Sequence, residues 1–433
     1  MVTGGNSNAQ WQGYNFARKD VVYVNINYRE SIFASPNAPE LQGTSQNFGI
    51  LDVDLAMDWV MDNIHGMFCA PVLVTFLTLA AFGGDKNRIV IGGHSSGSVM
   101  VCLAWIWMKW IGLLILQVDY YLWNHPDTTI AGAIEMSANA KSGPAYAPSG
   151  EALAEVARDV EASGVTLDCD ANNPSLDCLR QIDMYTLQTS HFNSTTNTWF
   201  APVVDNITRF ADYEGRFALG QYPTSVPLIV GNSDKEGKLF AMVYSSENTN
   251  FSSWINTFDA DLAHVPDDEL LDAYNASDYT SISAMSGASY GDARFFCPTD
   301  YMIDLRSSAQ PIWTYRWFGQ YDNVLGEGFA ASHGSEVPFF HGGNECFSKL
   351  SNVTEQEQRL AEFMNDWLVD WIKDPVAGPG WERASPEDGP LARLGVPGHE
   401  LSVQMGRTGE FNGRCQGVYK PHIPAYPVVQ SPL

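Results

Sequence analysis

Basic side chains are scarce in this chain: 24 Lys and Arg stand against 50 Asp and Glu in 433 residues, a formal net charge of -26. A surface so acidic repels phosphate backbones and anionic lipid, which argues against nucleic-acid binding and against attachment to membranes. No C-x-x-C pair occurs among the seven cysteines, so a zinc site of that type is excluded. The opening residues, MVTGGNSNAQ, have neither a basic start nor an apolar core, and no signal peptide is visible in them. No internal repeat is found.

Apolar residues, by contrast, are plentiful. At 45% hydrophobic, the chain can bury the core of one large α/β domain or two smaller ones. Cys169 and Cys178 bracket the short polar loop CDANNPSLDC, which a local disulfide could close. Five N-x-S/T sequons stand at Asn193, Asn206, Asn250, Asn275 and Asn352. Together with that loop they favour a secreted glycoprotein.

Apolar periodicity supplies the elements. Val21 to Ile26 is β-branched and aromatic and reads as a buried strand. Asp52 to Ile64 reads as a helix, with Leu51, Leu55 and Trp59 at helical spacing and Val60 and Ile64 beside them. Short strands are expected at 88–92, 130–136, 226–231 and 312–317, and an amphipathic helix at 355–372. Strands separated by helical stretches imply a largely parallel sheet. The Pro- and Gly-rich tail after Pro375 reads as an irregular surface wrap.

The most informative stretch is Gly93-His94-Ser95-Ser96-Gly97, directly after the apolar run Arg88 to Gly92. A strand ending in G-x-S-x-G is the nucleophile elbow, where a sharp turn lifts a serine above the sheet. The flanking glycines leave room for neighbouring elements.

With VVYVNINYR (21–29), NFGILDVDLAMDWVMDNI (47–64), FGGDKNRIVIGGHSSGSV (82–99), VPLIVGNSDKEGKLF (226–240) and ASHGSEVPFF (331–340), the chain resembles the type-B carboxylesterase family, the cholinesterase-like and fungal-lipase-like branch of the α/β hydrolases. The resemblance implies one α/β-hydrolase domain over residues 1–433, a mostly parallel sheet flanked by helices. It implies a Ser95–Glu236–His333 triad, the N–H of Ser96 as an oxyanion donor, and hydrolysis of a small carboxylic ester without metal or organic cofactor. It also implies a disulfide between Cys169 and Cys178. Asp234 is an alternative acid, and His341 and His94 are alternative bases; Glu236 and His333 are favoured by their places in the motifs. A non-catalytic cholinesterase-like binding protein and a membrane-anchored protein are the competing readings.

Three features depart from the family pattern. The chain starts just past the place where the family's glycine-rich oxyanion loop is expected, so it is expected to lack the first strands of the domain. Two apolar runs, 66–80 and 101–117, interrupt the motifs. Their excision joins DNIH to AFGG and GSVM to VDYY, and their codons admit splice signals at both ends. They are read as retained introns, and this form of the chain is expected to be weakly active or inactive.

Overall fold

The computed structural model describes residues 11–64, 82–95, 117–143, 150–193, 200–244, 265–343 and 347–423. Six strands form one sheet in sequential order: β1 (Val90–His94), β2 (Gly132–Met136), β3 (Leu228–Ser233), β4 (Ile312–Trp317), β5 (Pro390–Leu394) and β6 (Gln404–Arg407). The first five run parallel, and β5 and β6 are antiparallel. Parallel neighbours need a crossover between them. The described helices include α1 (Phe48–Asn63), α2 (Gln117–Asn124), α3 (Lys238–Tyr244), α4 (Ile282–Gly291), α5 (Cys297–Arg306) and α6 (Glu355–Lys373).

Alternation along the strands feeds two cores. Leu228 and Val230 pack into one cluster with Tyr120, Trp123, Met285 and Ile303. Ile229, between them, joins Trp313, Tyr315 and Trp317 in the other cluster, beneath Leu360, Met364 and Leu368 of α6. A sheet covered on both faces is what the near-continuous apolar strands require. Helix α6 starts with a capping box: Thr354 Oγ1 accepts from the Glu357 N–H, and the Glu357 carboxylate accepts from the Thr354 N–H. A third cluster, with Leu153, Val156 and Val160 against Leu179 and Leu187, lies beside the loop closed by Cys169–Cys178. A second disulfide joins Cys297 to Cys415, 118 positions apart.

Three expectations differ from the structure. Residues 21–26 form no ladder among the described residues, and Val22 and Val24 are 43% and 41% exposed. Without a neighbouring strand to pair with, β propensity alone makes no strand. The stripe Leu51, Leu55 and Trp59 of α1 faces outward, with Leu55 70% exposed, whereas Ile50 and Val60 are buried. The tail after Pro375 holds β5 and β6 instead of an irregular wrap. Gly389 and Gly395 bound β5, and its opening proline sits at a strand's first position, where the missing N–H is tolerated.

The two apolar runs lie outside the described residues, save Gln117 at the start of α2. The flanks of the first run meet: the Gly84 N–H donates to the Ile64 carbonyl at 2.9 Å. Val118, just after the second run, lies against β1: its Cγ2 is 3.1 Å from where a Cβ on Gly93 would sit. Among the described residues no helix is long and apolar enough to cross a membrane.

Candidate active site

Strands β1 to β4 end at one rim of the sheet, and the residues that follow them meet there. Ser95 directly follows β1 with φ +49°, a left-handed conformation that a non-glycine residue adopts at a cost. Its N–H donates to the Met136 carbonyl at 2.9 Å, which pins the turn to β2. Glu236 lies in the turn after β3. His333 lies in the loop after β4. The two loops are laced together where the Lys235 N–H donates to the Ala331 carbonyl at 2.8 Å, beside a parallel bridge between Lys235 and Ser332.

The side chains converge. His333 Nε2 is 2.5 Å from Ser95 Oγ, and His333 Nδ1 is 2.5 Å from Glu236 Oε2. Ser95 is half-buried; His333 and Glu236 are buried. With Nδ1–H donating to the carboxylate, Nε2 is left as the acceptor for the Ser95 hydroxyl proton. That arrangement is able to draw a proton from Ser95 and hold the resulting imidazolium beside a negative charge. Burial pushes the His333 imidazole below its ordinary value, keeping it neutral in the resting site. The rings of Phe295 and Phe240 stand 4.8 Å and 5.2 Å from it and close off one side.

Two of the alternatives, Asp234 and His341, are occupied elsewhere. Asp234 accepts from Arg316 Nε at 2.8 Å. His341 lies 3.1 Å from the Val337 carbonyl through Nδ1 and 3.3 Å from the Tyr23 hydroxyl through Nε2. His94 is buried with its ring 4.8 Å from that of His333, and Nε2 has no hydrogen-bond partner among the described residues. Ser96, the expected oxyanion donor, lies outside the described residues.

Sequence reasoning missed the residues around Glu236. The Ser233 N–H donates to Glu236 Oε1 at 2.6 Å, and Ser137 Oγ lies 2.7 Å from the same oxygen. A second buried carboxyl, Glu336, reaches Ser233 Oγ at 2.6 Å and Ser137 Oγ at 3.2 Å. Burial, then the nearby Glu236 charge, push Glu336 up to about 8. Burial pushes Glu236 up to about 8 as well, against hydrogen bonds from Ser137 and Ser233 and the charge of Arg316, so the two carboxyls are told apart by their hydrogen-bond partners. Ser137 and Ser233 each directly follow or end a strand, β2 and β3, but no motif marks them. Glu336 stands three residues after His333 in the Ser-His-Gly-Ser-Glu run, its only sequence signal. Among the described residues no group of three or more His, Cys, Asp or Glu side chains could hold a metal ion.

Known proteins resemble this chain. The model of the carboxylesterase family matches residues 1–407. The chain is 26% identical to "Crystal protein" of Dictyostelium discoideum over 387 residues, covering 86% of this chain and 62% of that protein. It is 25% identical to "Secreted lipase 5" of Gibberella zeae over 400 residues, with the same two shares, 86% and 62%. It is 30% identical to "Chlorogenic acid esterase" of Aspergillus niger over 213 residues, 49% of this chain and 34% of that protein. The chain thus spans less than two thirds of the length of these relatives. A solved structure of a PNB esterase superposes with a TM-score of 0.66 at 18% identity, covering 95% of this chain and 78% of that one, and shares its α/β-hydrolase fold. The family match, extending from the first residue to the end of β6, shows that this chain belongs to the carboxylesterase family.

Proposed function

We propose that this chain hydrolyses carboxylic esters through an acyl-serine intermediate. Ser95 Oγ attacks the ester carbonyl carbon while its proton passes to His333 Nε2. The tetrahedral adduct collapses, His333 gives the proton to the leaving alcohol, and the acyl group stays on Ser95. Water then repeats the sequence, releasing the acid and restoring the serine. Glu236 keeps the imidazole in the required tautomer and offsets its transient charge. The N–H of Ser96 is the proposed oxyanion donor, a group whose loss typically lowers the rate about 10²–10³-fold.

The unbroken line of contacts from Ser95 Oγ through His333 to Glu236 carries this reading. The names of the relatives, lipases and an esterase, support an ester as the substrate class. An organophosphorus probe tests it. Ser95 is expected to be labelled and Ser95→Ala left unlabelled. A chain that neither takes the label nor cleaves a short-chain chromogenic ester would point instead to a non-catalytic binding protein.

The runs 66–80 and 101–117 belong to the same proposal as inserts into one domain spanning residues 1–433. The flanks of the first support it: the Gly84 N–H donates to the Ile64 carbonyl. A loop whose ends already touch is removed at little cost. Deleting both runs is expected to raise ester hydrolysis; equal activity with and without them would overturn the insert reading.

Secretion is supported by the Cys169–Cys178 and Cys297–Cys415 disulfides. Three of the sequon asparagines, Asn206, Asn275 and Asn352, are exposed. Glycosidase-sensitive mass at these sites would establish the glycoprotein.

A further inference from the structure

The second buried carboxyl has no part in the reaction as written above. Hydrogen-bond counting assigns it one. Ser137 Oγ carries a single proton yet faces two carboxyl oxygens, Glu236 Oε1 at 2.7 Å and Glu336 Oε1 at 3.2 Å. A hydroxyl donates once. If it donates to the nearer oxygen, the farther one repels its lone pairs unless that carboxyl brings a proton of its own. Two bare carboxylates linked through one serine in a buried pocket would otherwise repel each other.

Resting on the ester-hydrolase reading, we propose that Glu336 is a positioning residue that stays protonated, donates through Ser137 Oγ to Glu236, and so leaves Glu236 as the one charged carboxyl behind His333. The order of donation is Glu336 O–H to Ser137, Ser137 O–H to Glu236, and Glu236 as acceptor from His333 Nδ1–H. The Ser233 hydroxyl satisfies the other Glu336 oxygen, and its N–H adds to Glu236.

His94 is the competing holder of the proton. Its Nε2 lies 3.5 Å from Glu336 Oε1 without making a hydrogen bond. Burial, then the electrostatic effect of His333 and His341, push its imidazole well below the ordinary value, which disfavours a proton on it. The other ionisable groups near the pair are Tyr315, whose hydroxyl is raised by burial and by both glutamates, and the Asp234–Arg316 ion pair.

Difference infrared spectroscopy of the full chain against Glu336→Gln tests this without requiring turnover. At neutral pH the wild type is expected to show a protonated-carboxyl band absent from the variant, and to lose that band as the pH rises past about 8. A carboxylate band missing from the variant instead would show Glu336 charged, with the proton on Glu236 or His94, and overturn the proposal. Ser137→Ala supplies a second reading, independent of whether the glutamine variant folds. It is expected to keep the acid band but shift its frequency, because the acceptor is gone; an unshifted band overturns the relay. In an active form, Glu336→Ala is expected to lower kcat about tenfold, the worth of one buried charge-linked hydrogen bond, with Glu336→Gln recovering most of it. Absence of organophosphorus labelling in the wild type would defeat the esterase reading alone and leave the infrared result standing.

Discussion

Arg316 holds Asp234: its Nε donates to Asp234 Oδ1 at 2.8 Å, and its guanidinium lies between the rings of Phe296 and Phe411, 4.1 Å and 4.4 Å from their centres. Two acids within three positions are thereby sorted, one tied into an ion pair and the other meeting His333. Glu236→Gln is expected to lower kcat about 10³–10⁴-fold by favouring the wrong imidazole tautomer. Asp234→Asn is expected to leave kcat within about threefold and cost at most about 1 kcal/mol of stability, as a partly exposed pair does. Ester kinetics on both variants decide it; the reverse ranking would make Asp234 the acid.

Gly237, next to Glu236, is where the acid turn touches α4. A Cβ there would run into the carbonyl oxygen of Gly287 and come within 2.6 Å of the Gly291 nitrogen. Those contacts are backbone, with no flexible end to yield. Gly237→Ala is expected to cost about 1–3 kcal/mol or more in urea unfolding, and to reduce activity by displacing Glu236. A variant of unchanged midpoint would show that the two segments part easily.

Arg306 is fully buried and bonds to Asp119 at 2.7 Å and to the Tyr222 hydroxyl at 2.5 Å. Its other Nη lies 3.6 Å from Glu135, whose pKa burial raises well above the ordinary range. Arg306 and Asp119 therefore balance one charge against one. Arg306→Met strands the Asp119 carboxylate and is expected to cost about 3–5 kcal/mol. Denaturant unfolding measures it, and the double variant with Asp119→Asn is expected to recover part of the loss.

Stability should fall on both sides of a mildly acidic plateau. The buried imidazoles of His333 and His341 have folded pKa values below the ordinary 6.5, that of His341 at about 4. Below 6.5 the unfolded chain gains protons that the folded one refuses, so stability is lost as the pH falls through this window. Glu336 is raised from 4.5 to about 8. Its contribution is complete below 4.5 and is lost as the pH rises through about 8. Urea midpoints across that range check both limbs. Glu336→Gln is expected to flatten the alkaline one, and an unchanged alkaline limb in that variant would refute the assignment.

The sequence carried Ser95, Glu236 and His333 because each sits in a short motif behind an apolar strand, and the structure places all three behind β1, β3 and β4. The strands themselves were legible where both faces are buried, as in β3 and β4. Residues 21–26 have the same composition without a ladder, since composition does not reveal whether a neighbour is present. β5 and β6 were hidden by the opposite effect: five residues between two glycines, paired at the sheet's margin, look like loop. Ser137, Ser233 and Glu336 gave no local signal. Their importance comes from meeting across 99 to 199 positions of chain.

The Cys297–Cys415 bond encloses β4, β5, β6 and His333 in one covalent ring. A protease that cuts an exposed segment of that ring, such as the one containing Glu327 and Gly328, would open the backbone without releasing either piece. The nicked molecule would travel as one species until a reductant parted it. Its histidine would stay moored at the sheet's rim through the survival of a bond far from the chemistry.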